Sequence, residues 1–217
     1  MSVIDLDRGN LRTVLTLAAC LVGQPTPPAL LGGYALVVSG GALHLWAKGC
    51  LRINEEITTS GPYRFTRNPF YLANLLIDVG ICAVAWRPWL IVAAVALWAF
   101  VYRRTIVREE QQLEALFGDG YRAYCARVPR WFPLRGPVSG LPASQPFSWS
   151  NRNLAEGQEY ARLAGILAIP LLVWLVAGVR EGGLAFFSRS PWLELTALAA
   201  LLSLYGIRRV LISARSD

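Results

Sequence analysis

The chain has 217 residues, of which 54% are hydrophobic and only 16% are charged. This composition is too apolar for a soluble domain of that size, and it predicts an integral membrane protein. The formal net charge of +7 is interpreted as a signal of orientation in the membrane, so a nucleic-acid partner is not expected.

The apolar segments predict an all-α integral membrane protein with about six transmembrane helices. Residues 13–47 contain no Asp, Glu, Lys or Arg, which is too long a stretch for one crossing of a hydrocarbon core about 30 Å thick. Prolines divide this stretch, and Arg87-Pro88 turns the third span into the fourth as a helical hairpin. The predicted spans are 12–23, 29–48, 70–86, 89–102, 163–179 and 191–207.

The composition divides the chain into three predicted parts. Residues 1–133 form a four-helix membrane unit, and residues 161–217 form a two-helix C-terminal appendage. Between them, residues 134–160 are rich in Pro, Gly and Ser, which is typical of a linker. Asp5 and Asp7 argue against an N-terminal signal peptide, because such a peptide begins with a basic region.

Basic residues are distributed unevenly between alternate loops. Of the 21 lysines and arginines, only Arg87, Arg180 and Arg189 fall in the loops of one side. Because Lys and Arg are retained on the cytoplasmic side of a membrane, both termini and the most polar segments are predicted to be cytoplasmic. We expect a multi-pass protein of the bacterial inner membrane.

Residue types that act as metal ligands or bases are few. Cys20, Cys50, Cys82 and Cys125 lie far apart without CxxC spacing, so we predict no metal site and interpret them as small apolar residues. The single histidine, His44, lies in a predicted span. A hydrogen-bonded packing role is favoured there over a role as a base.

The GPYR motif (residues 59–71) precedes the third span and reads TSGPYRFTRNPFY. Pro69 suits the first turn of a helix, and the free backbone amides that follow it can face an anion. Arg67 and Asn68 add hydrogen-bond donors. The alternative is an interfacial turn with snorkelling arginines and a belt of aromatic residues.

The EE motif (residues 108–133) begins with Arg108, Glu109 and Glu110 and ends with the residues VPRWFP. Two adjacent carboxylates are costly to crowd unless a cation lies between them or they face water. The alternative is a solvated helix end whose acids pair with the nearby arginines: Arg103, Arg104 and Arg108.

An amphipathic cytoplasmic helix is predicted within the EE motif, interrupted at Gly118. Its apolar face consists of residues four, four and three positions apart: Leu113, Phe117, Tyr121 and Tyr124.

The two motifs together resemble one family of membrane enzymes. The pattern GPYR-x-x-R-N-P-x-Y, then a hydrophobic hairpin, then EE-x-x-L-x-x-x-FG-x-x-Y-x-x-Y-x-x-x-VPR is similar to isoprenylcysteine carboxyl methyltransferases and phospholipid methyltransferases. The resemblance covers residues 58–133. It implies methyl transfer from S-adenosylmethionine, at the cytoplasmic face, to a lipophilic small-molecule or lipidated acceptor that enters from the bilayer and carries a carboxylate, amine or thiol.

The resemblance also implies a set of site residues. The residues expected to bind the cofactor are Glu55, Ile57, Thr58, Tyr63, Asn68, Pro69, Tyr71, Glu109 and Glu110. Carboxylates suit the ammonium or the ribose hydroxyls of the cofactor, and aromatic faces suit the adenine or the sulfonium. No catalytic residue is assigned, because a carboxylate acceptor needs no base.

Three positions depart from the family's pattern. Asn68 stands where many members have histidine, and Ala73 stands where many have glycine. Thr105 stands where the prenylcysteine enzymes have an arginine, which weakens the assignment to that substrate. The neighbouring Arg104 and Arg108 are therefore expected to bind substrate.

Asp78, an acid within a predicted span, is a further candidate for substrate binding or proton acceptance. The alternative is a structural hydrogen bond to Asn74 or to a facing span.

Two other functions remain open from the sequence. One is a membrane reductase similar to the sterol reductases with NADPH as cofactor, although Glu109 and Glu110 would repel its phosphates. The other is a non-catalytic membrane scaffold, which Asn68 and Thr105 would favour. The acceptor, the oligomeric state and the role of the last two helices are not determined by the sequence.

Overall fold

The computed structural model describes residues 8–133, 136–155 and 159–186, and within these ranges the chain is helical without strands. The predicted all-α class is confirmed. Short 3₁₀ turns occupy Gly61–Arg64 and Gly183–Ala185. The α-helices in chain order are α1 (Arg8–Val22), α2 (Pro27–Cys50), α3 (Pro69–Val84), α4 (Pro88–Arg127), α5 (Arg152–Ala155) and α6 (Glu159–Gly182).

Three of the described helices are long and apolar enough to cross a membrane, namely α2, α4 and α6, while α1 and α3 are shorter apolar helices. The first, second, third and fifth predicted spans correspond to α1, α2, α3 and α6. The sixth predicted span, residues 191–207, lies outside the described residues, so the count of six spans is not confirmed.

The fourth span and the amphipathic helix are parts of one 40-residue helix, α4. It begins at Pro88, where the missing N–H of proline costs nothing. It is broken at Gly118, whose φ of 53° and ψ of −127° are not helical. Glycine adopts a positive φ without the steric cost that a Cβ imposes. The predicted interruption at Gly118 is confirmed.

The chain forms two compact units. Unit 1 consists of Met1–Gly41, Leu75–Val101 and Tyr160–Asp217, and unit 2 consists of Ala42–Asn74 and Tyr102–Glu159. The boundaries between the units fall inside α2, α3, α4 and α6. The predicted division at residues 134 and 161 stays a prediction.

Unit 1 is held by close contact between helix backbones. A Cβ added to Gly33 of α2 would lie 2.5 Å from the carbonyl oxygen of Gly80 in α3, and one added to Gly80 would lie 2.7 Å from that of Gly33. No side chain fits at either position. Inside a bilayer the hydrophobic effect does not drive two apolar helices together. Small residues such as these glycines let the helices approach closely, so that van der Waals contacts hold them.

Charged side chains of unit 1 satisfy buried and terminal polar groups. Nε of Arg12 in α1 lies 2.9 Å from Oδ1 of Asp78 in α3, and the Asp78 side chain is 1% exposed. At the C-terminal end of α1, Arg87 donates to the carbonyl of Val22 at 2.9 Å, and Arg180 donates to the carbonyl of Cys20 at 3.0 Å. These carbonyls have no partner within their own helix, so the two arginines cap it.

Unit 2 contains an irregular segment, residues 136–151, that we name the strap. Its Val138 is paired with Arg64: the Val138 amide donates to the Arg64 carbonyl at 3.0 Å, and Arg64 Nε donates to the Val138 carbonyl at 3.1 Å. Further donors reach strap carbonyls from Thr59 (to Pro142, 2.6 Å) and Ser60 (to Gln145, 2.6 Å). The prolines remove amide donors from the strap, but the strap carbonyls still accept hydrogen bonds from the loop between α2 and α3 (residues 51–68).

Candidate functional site

The loop between α2 and α3 is anchored at the end of α2. The Asn151 side-chain amide donates to the carbonyls of Lys48 at 3.0 Å, Gly49 at 2.9 Å and Leu51 at 3.0 Å. One buried side chain of the strap therefore satisfies several terminal carbonyls of the helix. The ring of Phe147 covers Gly49, where an added Cβ would lie 2.1 Å from the ring.

The GPYR turn places the ring of Tyr63 in the interior of unit 2. Gly61 has a φ of +54°, and a Cβ there would lie 2.5 Å from Sγ of Cys50. The turn therefore requires glycine at this position. Tyr63 packs against Ala47 and Cys50, with Phe70 beside it, and its backbone carbonyl accepts a hydrogen bond from the Tyr124 hydroxyl at 2.8 Å.

Tyr63 carries a buried hydroxyl that has no hydrogen-bond partner among the described residues. Burial raises the pKa of the Tyr63 phenol well above its usual value of 10, and the neighbouring Tyr124, Cys50 and Glu109 raise it further. The phenol is therefore neutral at physiological pH. A buried donor without an acceptor is costly, so this hydroxyl marks a place where a bound molecule would supply the missing partner.

Glu110 joins the two motifs. Its side chain is 9% exposed, and Nη2 of Arg130 lies 2.7 Å from Oε2 while Nε of the same arginine lies 3.2 Å from Oε1. This is a bidentate pair, the strong geometry for arginine and carboxylate. The Arg67 guanidinium approaches Oε1 at 3.5 Å, and the side-chain amide of Asn68 donates to Oε1 at 3.3 Å.

Backbone contacts reinforce the junction at Glu110. The Arg67 amide donates to the Pro129 carbonyl at 2.9 Å, and the Asn68 side chain donates to the Arg130 carbonyl at 3.1 Å. The Thr66 hydroxyl lies 3.2 Å from the carbonyls of Arg130 and Trp131. The start of α3 and the VPRW segment are thus fixed against each other through both side chains and backbone.

The alternative in which the acids of α4 pair with neighbouring arginines of the same helix is wrong for Glu110. Its cationic partners are Arg67 and Arg130, whereas Arg103, Arg104 and Arg108 are exposed. Burial explains the difference: the Glu110 side chain is 9% exposed, and the arginines that reach it come from other segments, with side chains 11% (Arg67) and 43% (Arg130) exposed.

The aromatic face predicted on the cytoplasmic helix forms a cluster. Tyr121, Tyr124 and Val128 are its buried members, and partly buried side chains that include Ile57 and Phe117 pack against it. Ile57 is one of the residues expected to bind the cofactor, so the loop carrying it rests on this cluster.

The structure distributes the remaining expected cofactor residues over unit 2. Thr58 is buried, and its hydroxyl accepts from the Arg52 amide at 3.2 Å. Pro69 is buried at the start of α3, and Tyr71 is buried with its ring centroid 5.1 Å from that of Tyr102. Glu109 is partly buried and Glu55 is exposed in a turn. Asn68 and Glu110 are the expected pair that the structure brings into direct contact.

The three residues expected to bind substrate are placed differently. Arg104 and Arg108 are exposed on α4. Asp78 belongs to unit 1 and forms the ion pair with Arg12, which favours its structural alternative.

Sequence reasoning missed the role of Arg130. The residue lies in the VPR end of the EE motif, and this fixed place in the motif was the available signal. Arg67 was expected only as an additional anion donor, yet it contacts the buried carboxylate.

A cleft of about 350 Å³ lies between the loop and the strap. Arg64 and the Gly61 turn face it from the loop, and residues 138 and 140–144 face it from the strap. Its walls are held by the hydrogen bonds between Thr59 and the strap. Within the described ranges, no group of three or more His, Cys, Asp or Glu residues is arranged to hold a metal ion.

The fold and the junction at Glu110 define a helical membrane protein in which two polar motifs meet at a buried carboxylate. Residues 29–120, less than half of the chain, match the family model described as phospholipid methyltransferase. The resemblance predicted from the two motifs is confirmed.

Two curated relatives are similar over a shorter segment. The cobalt-zinc-cadmium resistance protein CzcN of Cupriavidus metallidurans is 35% identical over 83 residues, and the nickel-cobalt-cadmium resistance protein NccN of Alcaligenes xylosoxydans xylosoxydans is 30% identical over 82 residues. In each comparison the aligned segment covers 38% of this chain and 38% of the relative. No solved structure matches the chain.

Proposed function

We propose that this protein transfers a methyl group from S-adenosylmethionine to a lipophilic acceptor at the cytoplasmic face of a membrane. The observation that carries the proposal is the junction at Glu110, which joins the GPYR and EE motifs in a chain whose residues 29–120 match the phospholipid methyltransferase family. The family match does not favour the reductase or the non-catalytic scaffold.

The residues present suit S-adenosylmethionine. Its ammonium, hydroxyl and adenine groups offer both donors and acceptors, and the buried Tyr63 hydroxyl lacks a partner among the described residues. Glu109 is partly buried and raises the pKa of Tyr63, so both groups belong to one electrostatic environment. In the proposal Glu109 accepts hydrogen bonds from the cofactor, and the rings of Tyr63 and Tyr71 face its cation.

Glu110 has a different role in the proposal. Both of its oxygens are occupied by Arg130, and Asn68 and Arg67 also approach Oε1. A carboxylate with these partners is better suited to hold Asn68 and the start of α3 in place than to bind the cofactor directly. Glu55, Ile57 and Thr58 enclose the cofactor from the loop side.

S-adenosylmethionine supplies an electrophilic methyl group when it is bound, so the protein contributes mainly position and exclusion of water. Arg104 and Arg108, which are exposed on α4, are proposed to bind an acidic group of the acceptor. We place both termini in the cytoplasm of a multi-pass inner-membrane protein. Asp78 is assigned to structure because it is paired with Arg12.

Calorimetric binding of S-adenosylmethionine to the detergent-purified protein tests the proposal. We expect saturable binding by the wild type and by Glu114→Gln, an exposed acid of the same helix. Glu109→Gln is expected to weaken binding by about 10- to 150-fold, because a charge-assisted hydrogen bond contributes about 1.5–3 kcal/mol. Tyr63→Phe is expected to weaken it less, because it removes one neutral hydroxyl.

Absence of binding by folded wild-type protein in lipid nanodiscs would contradict the proposal. Titration with NADPH under the same conditions would then test the reductase alternative.

A further inference from the structure

The single histidine of the chain belongs to a buried polar cluster. Nε2 of His44 in α2 lies 3.1 Å from Oε2 of Glu159, and Nζ of Lys48 lies 3.3 Å from Oε1 of the same carboxylate. The Glu159 side chain is 3% exposed, whereas the His44 side chain is 19% exposed. The carboxylate is therefore fixed at both oxygens, and the imidazole keeps access to its surroundings.

The position of Glu159 selects one tautomer of His44. A carboxylate paired with lysine is ionised and can only accept hydrogen bonds, so the proton of the neutral imidazole resides on Nε2. Nδ1 then carries a lone pair. A histidine held by a buried carboxylate in this way has the arrangement of a general base with its orienting group.

The imidazole adjoins the GPYR motif. Its ring centroid lies 5.0 Å from that of Phe70, with the rings edge to face. Phe70 follows Pro69 at the start of α3, and its ring centroid lies 6.5 Å from that of Tyr63. Lys48 also lies over the Phe70 ring, 5.6 Å from its centroid. The cluster is thus connected through one side chain to the site proposed for the cofactor.

We propose that His44, oriented by Glu159, is the general base for an acceptor that must lose a proton, namely a lipophilic amine or thiol. This inference rests on the proposed function. The acceptor's nitrogen or sulfur releases its proton to Nδ1 of His44, and its lone pair forms the bond to the methyl carbon. The bond between that carbon and the cofactor's sulfur breaks, and its electron pair remains on sulfur.

Both charged and apolar groups surround His44. Glu159 and Lys48 form an ion pair beside the imidazole. Phe70, on α3, presents an apolar face.

Nuclear magnetic resonance of the ring nitrogens tests the geometry without turnover. Because the chain contains one histidine, labelling with ¹⁵N-histidine reports a single imidazole. The expected result at neutral pH is the tautomer protonated at Nε2, with the balance of tautomers shifted in Glu159→Gln. A wild-type ring protonated mainly at Nδ1 would overturn the proposal.

Methyl transfer tests the chemistry. The probes are phosphatidylethanolamine vesicles for an amine, dodecanethiol for a thiol and palmitate for a carboxylate. His44→Gln retains an N–H donor toward Glu159 but has no basic nitrogen. We expect its kcat on the accepted amine or thiol to fall about 100-fold or more, the range typical of general-base catalysis. Affinity for S-adenosylmethionine is expected to stay within about twofold.

A pH profile separates a base from a packing residue. Wild-type kcat is expected to decrease toward acid pH, where the imidazole is protonated and cannot accept a proton, and His44→Gln is expected to lack this limb. Ser39→Ala, an exposed position of α2, serves as the control with wild-type kcat.

Three results would overturn the assignment of the base while leaving cofactor binding established. They are wild-type turnover by His44→Gln, methylation of palmitate alone, and turnover of none of the three probes by protein that binds S-adenosylmethionine. Absence of cofactor binding by the wild type would instead refute the proposed function itself.

Discussion

The two units of this chain are stabilised in different ways. In unit 1, helices α2 and α3 approach until their backbones touch at Gly33 and Gly80, and the buried Asp78 forms an ion pair with Arg12. In unit 2, Glu110 contacts two arginines and an asparagine. The strap and the loop add hydrogen bonds between irregular segments.

The difference follows from the kind of backbone in each unit. Helical backbone satisfies its own polar groups, so the helices of unit 1 need only close packing and a few caps. Irregular backbone in unit 2 needs partners from elsewhere in the chain. Polar contacts in unit 2 therefore serve both the fold and the candidate site, and substitutions there should change both.

Glu110→Ala is expected to have the largest effect, because it leaves Arg67 and Arg130 without their shared carboxylate. Removing one partner of a buried ion pair costs about 3–5 kcal/mol, so the free energy of unfolding in detergent should fall by that amount. Glu114→Ala, in the same helix but exposed, should change it by less than about 0.5 kcal/mol. Equal losses of stability in the two variants would contradict the conclusion that the buried ion pairs of Glu110 stabilise unit 2.

Asp78→Asn tests the ion pair of unit 1. We expect a loss of about 3 kcal/mol, at the lower end for a broken buried pair, because the Arg12 side chain is only partly buried, with 18% exposed. Stability is measured by thermal unfolding. The double variant Arg12→Met, Asp78→Leu should recover most of the loss, since apolar replacements leave no unpaired charge. A double variant as unstable as Asp78→Asn would show that the pair does more than join two helices.

Gly33→Ala tests the backbone contact in unit 1. The added methyl group would lie 2.5 Å from a carbonyl oxygen of α3, and overpacking of this kind costs about 2 kcal/mol. The neighbouring Gly32 has no atom within 4 Å of an added Cβ. Gly32→Ala should therefore raise stability slightly, by up to about 1 kcal/mol from helix propensity. A similar response at both glycines would argue against the close packing of α2 and α3.

Tyr63→Phe should change the free energy of unfolding least at neutral pH. Any change should be an increase, whereas Glu110→Ala, Asp78→Asn and Gly33→Ala lower it. The hydroxyl has no partner among the described residues, so its removal should leave stability unchanged or raise it by up to about 1 kcal/mol. The folded-state pKa of Tyr63 is raised. Its contribution to stability is therefore complete below about pH 10, the pKa of the unfolded chain, and is lost as pH rises toward the folded-state pKa.

Melting temperatures between pH 8 and pH 11.5 measure this contribution. The wild type should lose stability above about pH 10 more steeply than Tyr63→Phe. Parallel curves would show that the phenol ionises in the folded protein as readily as in the unfolded chain.

The sequence predicted where helices occur, but it did not predict that two of them join into one. Hydropathy and proline positions located α1, α2, α3 and α6, and glycine chemistry located the break at Gly118. The merging of the fourth span with the cytoplasmic helix was not predicted, because Arg103 and Arg104 resemble the charged end of a span. No proline or glycine lies between Pro88 and Gly118, so the backbone continues as helix past the charges.

Membership of the candidate site stays a prediction, and the contacts of its residues were predicted only in part. The resemblance placed Asn68 and Glu110 in one site, and they are in contact. The partnership of Glu110 with Arg67 and Arg130 could not be read from spacing, because arginines of the same helix lie closer along the chain. Likewise, nothing in the sequence around His44 indicated Glu159, which lies 115 residues away.

The pairing of the loop with the strap sets an order of events during synthesis. Thr59 and Ser60 precede their acceptors, the carbonyls of Pro142 and Gln145, by 83 and 85 residues. At a translation rate of about 5–20 residues per second, that interval lasts roughly 4–17 s. Throughout it, the hydroxyls of Thr59 and Ser60 lack the strap carbonyls to which they donate in the folded protein. The site is therefore completed late, after the helices on either side of the loop have been made, and a ribosome arrested before residue 142 would leave the loop open to added protease.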